Sequence, residues 1–107
     1  MDTYRETQFQ ALGDATRQRI VEQLADGPLP VGKLAAKFTV SRPAISQHLR
    51  VLERADLVEH RTSGTRRVYQ LNPRGILSLR DYIDGFWTRA LDGFKKKVEE
   101  VSEEGEL

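Results

Sequence analysis

The chain has 107 residues, 38% hydrophobic and 31% charged, with a net charge of +1 and no cysteine. That length supports one modest core, so a single domain over residues 1–101 is expected, and the composition lies outside the disordered class. No apolar run is long enough to span a bilayer and no signal peptide opens the chain, while the missing thiols exclude disulfides, thiolate metal sites and thiol catalysis and fit a cytoplasmic home.

Residues 4–12 form the first predicted helix, with Tyr4, Phe9 and Leu12 as its apolar residues. Gly13 ends it. Asp14 is a good N-cap for the next helix, in which Ile20, Val21 and Leu24 share a face. Asp26-Gly27-Pro28 stops that helix, because Gly27 accepts the left-handed cap and Pro28 cannot continue. A third helix spans about 31–38, with Val31, Leu34, Ala35 and Phe38 inward. After a short break at Thr39-Val40, Ser41 is an N-cap candidate and Pro43 fits a first helical turn. The fourth helix turns Ala44, Ile45, Leu49 and Leu52 to the core and presents Arg42, Ser46, Gln47 and Arg50 on its other face.

Over residues 57–71 the period changes. Leu57-Val58 and Val68-Tyr69-Gln70-Leu71 are short β-like runs around Arg61-Thr62-Ser63-Gly64-Thr65-Arg66-Arg67, and Ser63-Gly64 predicts a hairpin with a basic tip. Asn72-Pro73 opens a last helix running from about 74 to 101. Leu79, Ile83, Phe86, Ala90, Phe94 and Val101 centre an apolar stripe that Tyr82, Trp87, Leu91 and Val98 widen to about half the circumference. Residues 76–101 would be about 39 Å long, more than the body of so small a domain covers. The stripe therefore needs a partner, and a second copy is the commonest one. Gly93 lies at the stripe edge, where close backbone approach fits, whereas Gly85 lies off it without a physical account. Residues 102–107 are expected to be an acidic, disordered tail.

Charge is segregated: residues 1–32 sum to −2, residues 33–80 to +7 and residues 81–107 to −4. This is either one polyanion-facing surface or a solvated face with chance clustering, and charge alone does not separate them. The order of elements does more. Two helices joined by a short break, followed by a basic hairpin, suggest a winged helix-turn-helix, an α+β fold that is mostly α. A helix laid in the major groove needs short or hydrogen-bonding side chains on its outer N-terminal face, and Ser41, Arg42, Ala44, Ser46 and Gln47 stand there (Ala44 serves both faces). Gln pairs with adenine, Arg with guanine, and Ala touches a thymine methyl. The candidate DNA-contacting residues are Ser41, Arg42, Pro43, Ala44, Ser46, Gln47, His48 and Arg50 on the helix. On the hairpin they are Arg61, Ser63, Gly64, Thr65, Arg66 and Arg67, facing phosphates or the minor groove. Competing readings are a helical hairpin with a solvated basic face and a winged-helix module for protein–protein assembly without DNA.

Ala11-Leu12-Gly13-Asp14-Ala15-Thr16-Arg17 resembles the opening motif of the ArsR/SmtB family of winged-helix repressors. Val40-Ser41-Arg42-Pro43-Ala44-Ile45-Ser46-Gln47-His48-Leu49-Arg50-Val51-Leu52 resembles its recognition helix. Ala55-Asp56-Leu57-Val58 with Gly64-Thr65-Arg66-Arg67-Val68-Tyr69-Gln70-Leu71 resembles its wing, so the likeness covers about residues 8–72. Phe86-Trp87-Thr88-Arg89-Ala90-Leu91 is similar to the last helix of the SdpR-like subgroup. The resemblance implies a homodimer that binds palindromic double-stranded operator DNA and represses transcription. The expected dimer interface comprises Tyr4, Phe9 and Leu12 with Leu79, Tyr82, Ile83, Phe86, Trp87, Ala90, Leu91 and Phe94.

The chain departs from the family's metal sensors. Their cysteine pair falls at Pro30 and Gly32, and the last helix carries no histidine. His48 and His60, in different elements and without a third ligand at sensible spacing, do not make a zinc site. No metal or other cofactor is expected. His48 is read as a phosphate contact or a local hydrogen bond, and His60 as a strand residue. Ser41, Ser46 and His48 are close in sequence, but no carboxylate is placed to orient the histidine, so no enzyme is expected. Tyr82, Phe86 and Trp87 could line a small-molecule pocket, although core or dimer interface is the commoner use of such a stripe.

Overall fold

The computed structural model describes residues 3–105. Its elements are α1 (Thr3–Ala11), α2 (Ala15–Leu24), β1 (Leu29–Pro30), α3 (Val31–Ala35), α4 (Arg42–Arg54), β2 (Val58–Ser63), β3 (Arg66–Leu71) and α5 (Pro73–Gly105). This is the expected winged helix-turn-helix with a hairpin wing and a long last helix. No described helix is long and apolar enough to cross a membrane. Two compact units divide the chain after Leu77.

In the first unit the helix starts are set by side-chain caps. Asp14 accepts the Arg17 backbone N–H at 3.0 Å, and Ser41 accepts that of Ala44 at 3.3 Å. Each cap satisfies one of the donors a helix leaves open at its N-terminus. Ile45, Leu49 and Leu52 are fully buried at helical spacing and fix the rotation of α4 about its axis. Ile20 and Leu24 of α2, Leu34 of α3, Leu57, Val58 and Tyr69 complete the core. Each such large side chain contributes roughly 1.5–3 kcal/mol by leaving water.

The wing pairs antiparallel from Val58 opposite Leu71 to Ser63 opposite Arg66. The connecting loop is therefore Gly64-Thr65, one residue later than the expected Ser63-Gly64. Gly64 takes φ 64° there, a conformation open to glycine at no steric cost. The sheet also has a third strand that the sequence did not suggest. Leu29 and Pro30 pair with Tyr69 and Val68, which gives the order β1-β3-β2.

Several expected positions differ. The buried residues of α1 are Gln8 and Ala11, whereas Phe9 is exposed and Tyr4 and Leu12 are half-buried. Gln8 is buried because its amide donates to the carbonyls of Ala55 at 3.3 Å and Gly75 at 3.2 Å, so its polar group is satisfied inside the core. Helix α3 ends at Ala35 rather than 38, and Phe38 is half-buried with the Arg19 guanidinium 4.8 Å from its ring centroid. Val21, Val31 and Ala35, expected inward, are half-buried.

The second unit, from Ser78 on, is a single helical segment, the continuation of α5. Ile83, Phe86, Trp87, Leu91, Phe94, Val98 and Val101 are all exposed, Phe94 to 69%. The helix runs to Gly105, four residues past the expected end at 101, and residues 106 and 107 of the expected tail lie outside the described residues. At Gly93 a Cβ would meet nothing within 4 Å, so no close approach within this chain requires the glycine.

Candidate nucleic-acid interface

The burial of Ile45, Leu49 and Leu52 leaves the opposite face of α4 outward. Ser41, Arg42, Pro43, Gln47 and Arg50 are exposed, and Ala44, Ser46 and His48 are half-buried. Residues 61–67, the end of β2 with the turn and the start of β3, are exposed throughout, so Arg61, Ser63, Gly64, Thr65, Arg66 and Arg67 all stand on the wing surface.

The outward residues of α4 divide between two concavities. One, of about 620 Å³, lies between the start of α3, α4 and the wing, and its lining includes Lys33, Arg42, Ser46, Thr65, Arg66 and Arg67. The other, of about 400 Å³, is lined by Arg17, Pro43, Ala44, Gln47, His48 and Val51. Arg42 and Gln47, which the sequence placed on one reading face, therefore line different hollows. Lys33 and Arg17 were not among the expected contacts. Lys33 begins the basic stretch of the chain, a signal that could have drawn it in. Arg17 stands in the Ala11–Arg17 motif, but nothing there pointed to α4, because His48 lies 31 residues further on.

Arg17 joins three segments. Its Nε donates to the Ala11 carbonyl at 2.6 Å, one terminal nitrogen to the Gln10 carbonyl at 3.4 Å, and the other lies 3.2 Å from His48 Nδ1. A guanidinium has only donors, so Nδ1 is the acceptor in this contact. This is the local hydrogen bond foreseen as one role of His48. The sequence reading had no carboxylate near this histidine, and the structure corrects that: Asp14 Oδ2 is 3.9 Å from Nδ1. Nδ1 is already engaged by Arg17, however, so Asp14 does not hold the ring as a catalytic carboxylate would, and Ser41 Oγ is engaged as the cap. The Asp14 carboxyl is held below its ordinary value of 3.8, first by the Arg17 backbone N–H, with burial as the next-largest effect opposing it and the Arg17 charge adding to the lowering.

His60, expected as a plain strand residue, bridges β2 to α4: its Nδ1 is 2.9 Å from Glu53 Oε2, and its ring centroid is 5.2 Å from that of Tyr69. Among the described residues no three His, Asp or Glu side chains gather as metal ligands. Of the expected dimer residues, Tyr4 donates its hydroxyl to Asp56 Oδ2 at 3.1 Å. Leu79 and Tyr82 are half-buried, and Ile83, Phe86, Trp87, Ala90, Leu91 and Phe94 are exposed.

A helix-turn-helix of α3 and α4, with a hairpin wing and cations on the outward side, defines a winged helix-turn-helix of the DNA-binding type. Residues 14–60 match the sequence model of the bacterial regulatory proteins, arsR family. The HTH-type transcriptional regulator Rv2034 of Mycobacterium tuberculosis (strain ATCC 25618 / H37Rv) is 56% identical over 101 residues, 92% of this chain and 94% of that protein. The transcriptional repressor SdpR of Bacillus subtilis (strain 168) is 36% identical over 64 residues, 60% of this chain and 71% of that protein. The crystal structure of a possible transcriptional regulator for arsenical resistance matches with a TM-score of 0.70 at 44% identity, over 84% of this chain and 94% of that one. The chain belongs to the arsR family of bacterial regulatory proteins. It is a transcriptional regulator and not an enzyme.

Proposed function

We propose that the chain is a homodimeric repressor that binds a palindromic operator in the cytoplasm, without sensing a metal, in the manner of the family's SdpR-like branch. The observation that carries this reading is the outward face of α4, capped by Ser41 and locked in rotation by Ile45, Leu49 and Leu52, beside a wing whose arginines are exposed. Helix α4 supplies base-edge chemistry and the wing supplies charge for the backbone. The repressor assignment is supported by the likeness to SdpR, itself a transcriptional repressor. The homodimer is supported by the exposed apolar face of α5, which a two-fold contact between copies would cover. Metal independence is supported by Pro30 and Gly32, which offer no side-chain ligand, and by the separate engagements of His48 and His60.

Fluorescence anisotropy tests the proposal. The full chain, titrated into DNA from upstream of its own coding sequence, should bind that duplex at least a hundredfold more tightly than a scrambled one. Equal affinity for both at physiological salt removes the sequence-specific reading.

A further inference from the structure

We infer that the groove between α4 and the wing is a seat for a DNA phosphodiester, gripped by Lys33 and Arg42 together with the wing arginines, and that base reading falls to the opposite flank of α4. The inference rests on the DNA-binding reading above and divides the labour within it. Lys33 of α3, Arg42 of α4 and Arg66 and Arg67 of β3 bring four cations from three elements into one concavity, and no carboxylate lines it. Among the described residues none of the four enters an ion pair within the chain. Like charges gathered in a hollow focus a positive potential that an anion relieves. Among the neutral side chains that join them, the Ser46 and Thr65 hydroxyls also donate readily to anionic oxygens.

A phosphodiester fits this donor set, since its non-bridging oxygens only accept and match the fork of a guanidinium. A base edge fits less well. Adenine and cytosine present amino donors in the major groove, and four cations have no acceptor to answer them. The other flank of α4 has the complementary chemistry. Gln47 both donates and accepts, and Pro43 and Ala44 offer apolar contact for a thymine methyl. Arg42, expected from sequence to read guanine, is thereby assigned to the backbone.

The test uses the full chain and the variants Lys33→Gln, Arg42→Gln and, for contrast, Gln47→Ala. Anisotropy titrations compare the preferred operator with a scrambled duplex over a range of salt. Lys33→Gln and Arg42→Gln should weaken both duplexes by the same factor and leave their ratio unchanged. Each should also lower the slope of log K against log salt by about 0.9, as loss of one phosphate contact requires. A methylphosphonate that neutralises the seated phosphate should make Arg42→Gln silent. A changed operator-to-scrambled ratio for Arg42→Gln, or an unchanged salt slope, overturns the inference. Calorimetric titration of inorganic pyrophosphate into the DNA-free chain separates the two sources of phosphate. Pyrophosphate binding that Arg42→Gln abolishes, in a chain with no affinity for either duplex, leaves an anion site but removes DNA as its ligand. That outcome overturns the inference together with the proposed function, whereas the changed ratio overturns the inference alone.

Discussion

Gly75 packs so closely on Asp56 that a Cβ at position 75 would overlap the Asp56 backbone carbonyl. Asp56 itself sits at φ 57°, the left-handed turn that carries the chain from α4 into β2. Its carboxylate receives the Tyr4 hydroxyl at 3.1 Å and lies 3.9 Å from the Arg74 guanidinium, while Gln8 binds the carbonyls on either side. The start of α5, the end of α4 and α1 thus meet at one backbone crossing.

Gly75→Ala should therefore destabilise the fold by about 3 kcal/mol, because backbone on the facing side cannot yield as a side chain would. Calorimetry should show a melting temperature lowered by about 12 °C or more. Gly93→Ala is the matched control. Nothing lies within 4 Å of a Cβ there, so the gain in helix propensity, up to about 1 kcal/mol, should leave stability equal or higher.

Asp14 gives a pH dependence of known sign. Its folded-state value lies below the ordinary 3.8, so the ionised carboxylate stabilises the folded chain. That stabilisation is complete above about pH 4 and is lost as pH falls through the lowered folded value. Asp14→Ala should melt below the parent at pH 7, and the difference should shrink as both are melted at successively lower pH below 4.

Base reading and backbone clamping should separate in mutants. Gln47→Ala should lose about 1–3 kcal/mol of affinity for the preferred operator and relax the preference at one base pair. Arg66→Ala should weaken all sequences evenly and reduce the salt slope by about one unit. A selection from randomised duplexes, run with both variants, reads the two outcomes; a reversed pattern would place Arg66 in a narrow minor groove as a reader of its width.

Phe86→Glu or Leu91→Glu introduces a charge into the exposed stripe of α5. Each should convert a dimer at tens of micromolar into a monomer by light scattering, and should reduce operator affinity because the two half-sites would no longer be bound together. A parent chain that is itself monomeric at that concentration removes the dimer from the proposal.

Metal addition should leave the operator complex intact. Zinc, cadmium or arsenite at one equivalent should not change the anisotropy, since soft ions require thiolates, which the chain lacks, and zinc requires three or four convergent ligands, which do not gather among the described residues. Stoichiometric release would reveal a carboxylate-rich site.

The recognition helix and wing were legible because their signals are local. Ser41 caps within three residues, Ile45, Leu49 and Leu52 repeat at helical spacing, and Gly64 marks its turn alone. What escaped depends on partners in other elements. Gln8 reads as a solvated residue until Ala55 and Gly75 supply its acceptors, and Arg17 reads as a surface charge until the Ala11 carbonyl and His48 gather round it. Leu29 and Pro30 are too short a pair, and too rich in proline around them, to read as a strand before β3 is there to receive them. The partition of α4 between two hollows was equally invisible, because it depends on where the wing and α2 stand beside the helix.

Strand β1 forms one border of the sheet, and it is two residues long with proline at its end. Proline has no N–H, so this border offers an incoming chain almost nothing to template on. A regulator held at high local concentration on DNA, with wings from several copies close together, would otherwise risk stitching those wings into a continuous ribbon. The Leu29-Pro30 strand closes that route on its side of the sheet, and replacing Pro30 with a residue that carries an amide hydrogen would reopen it.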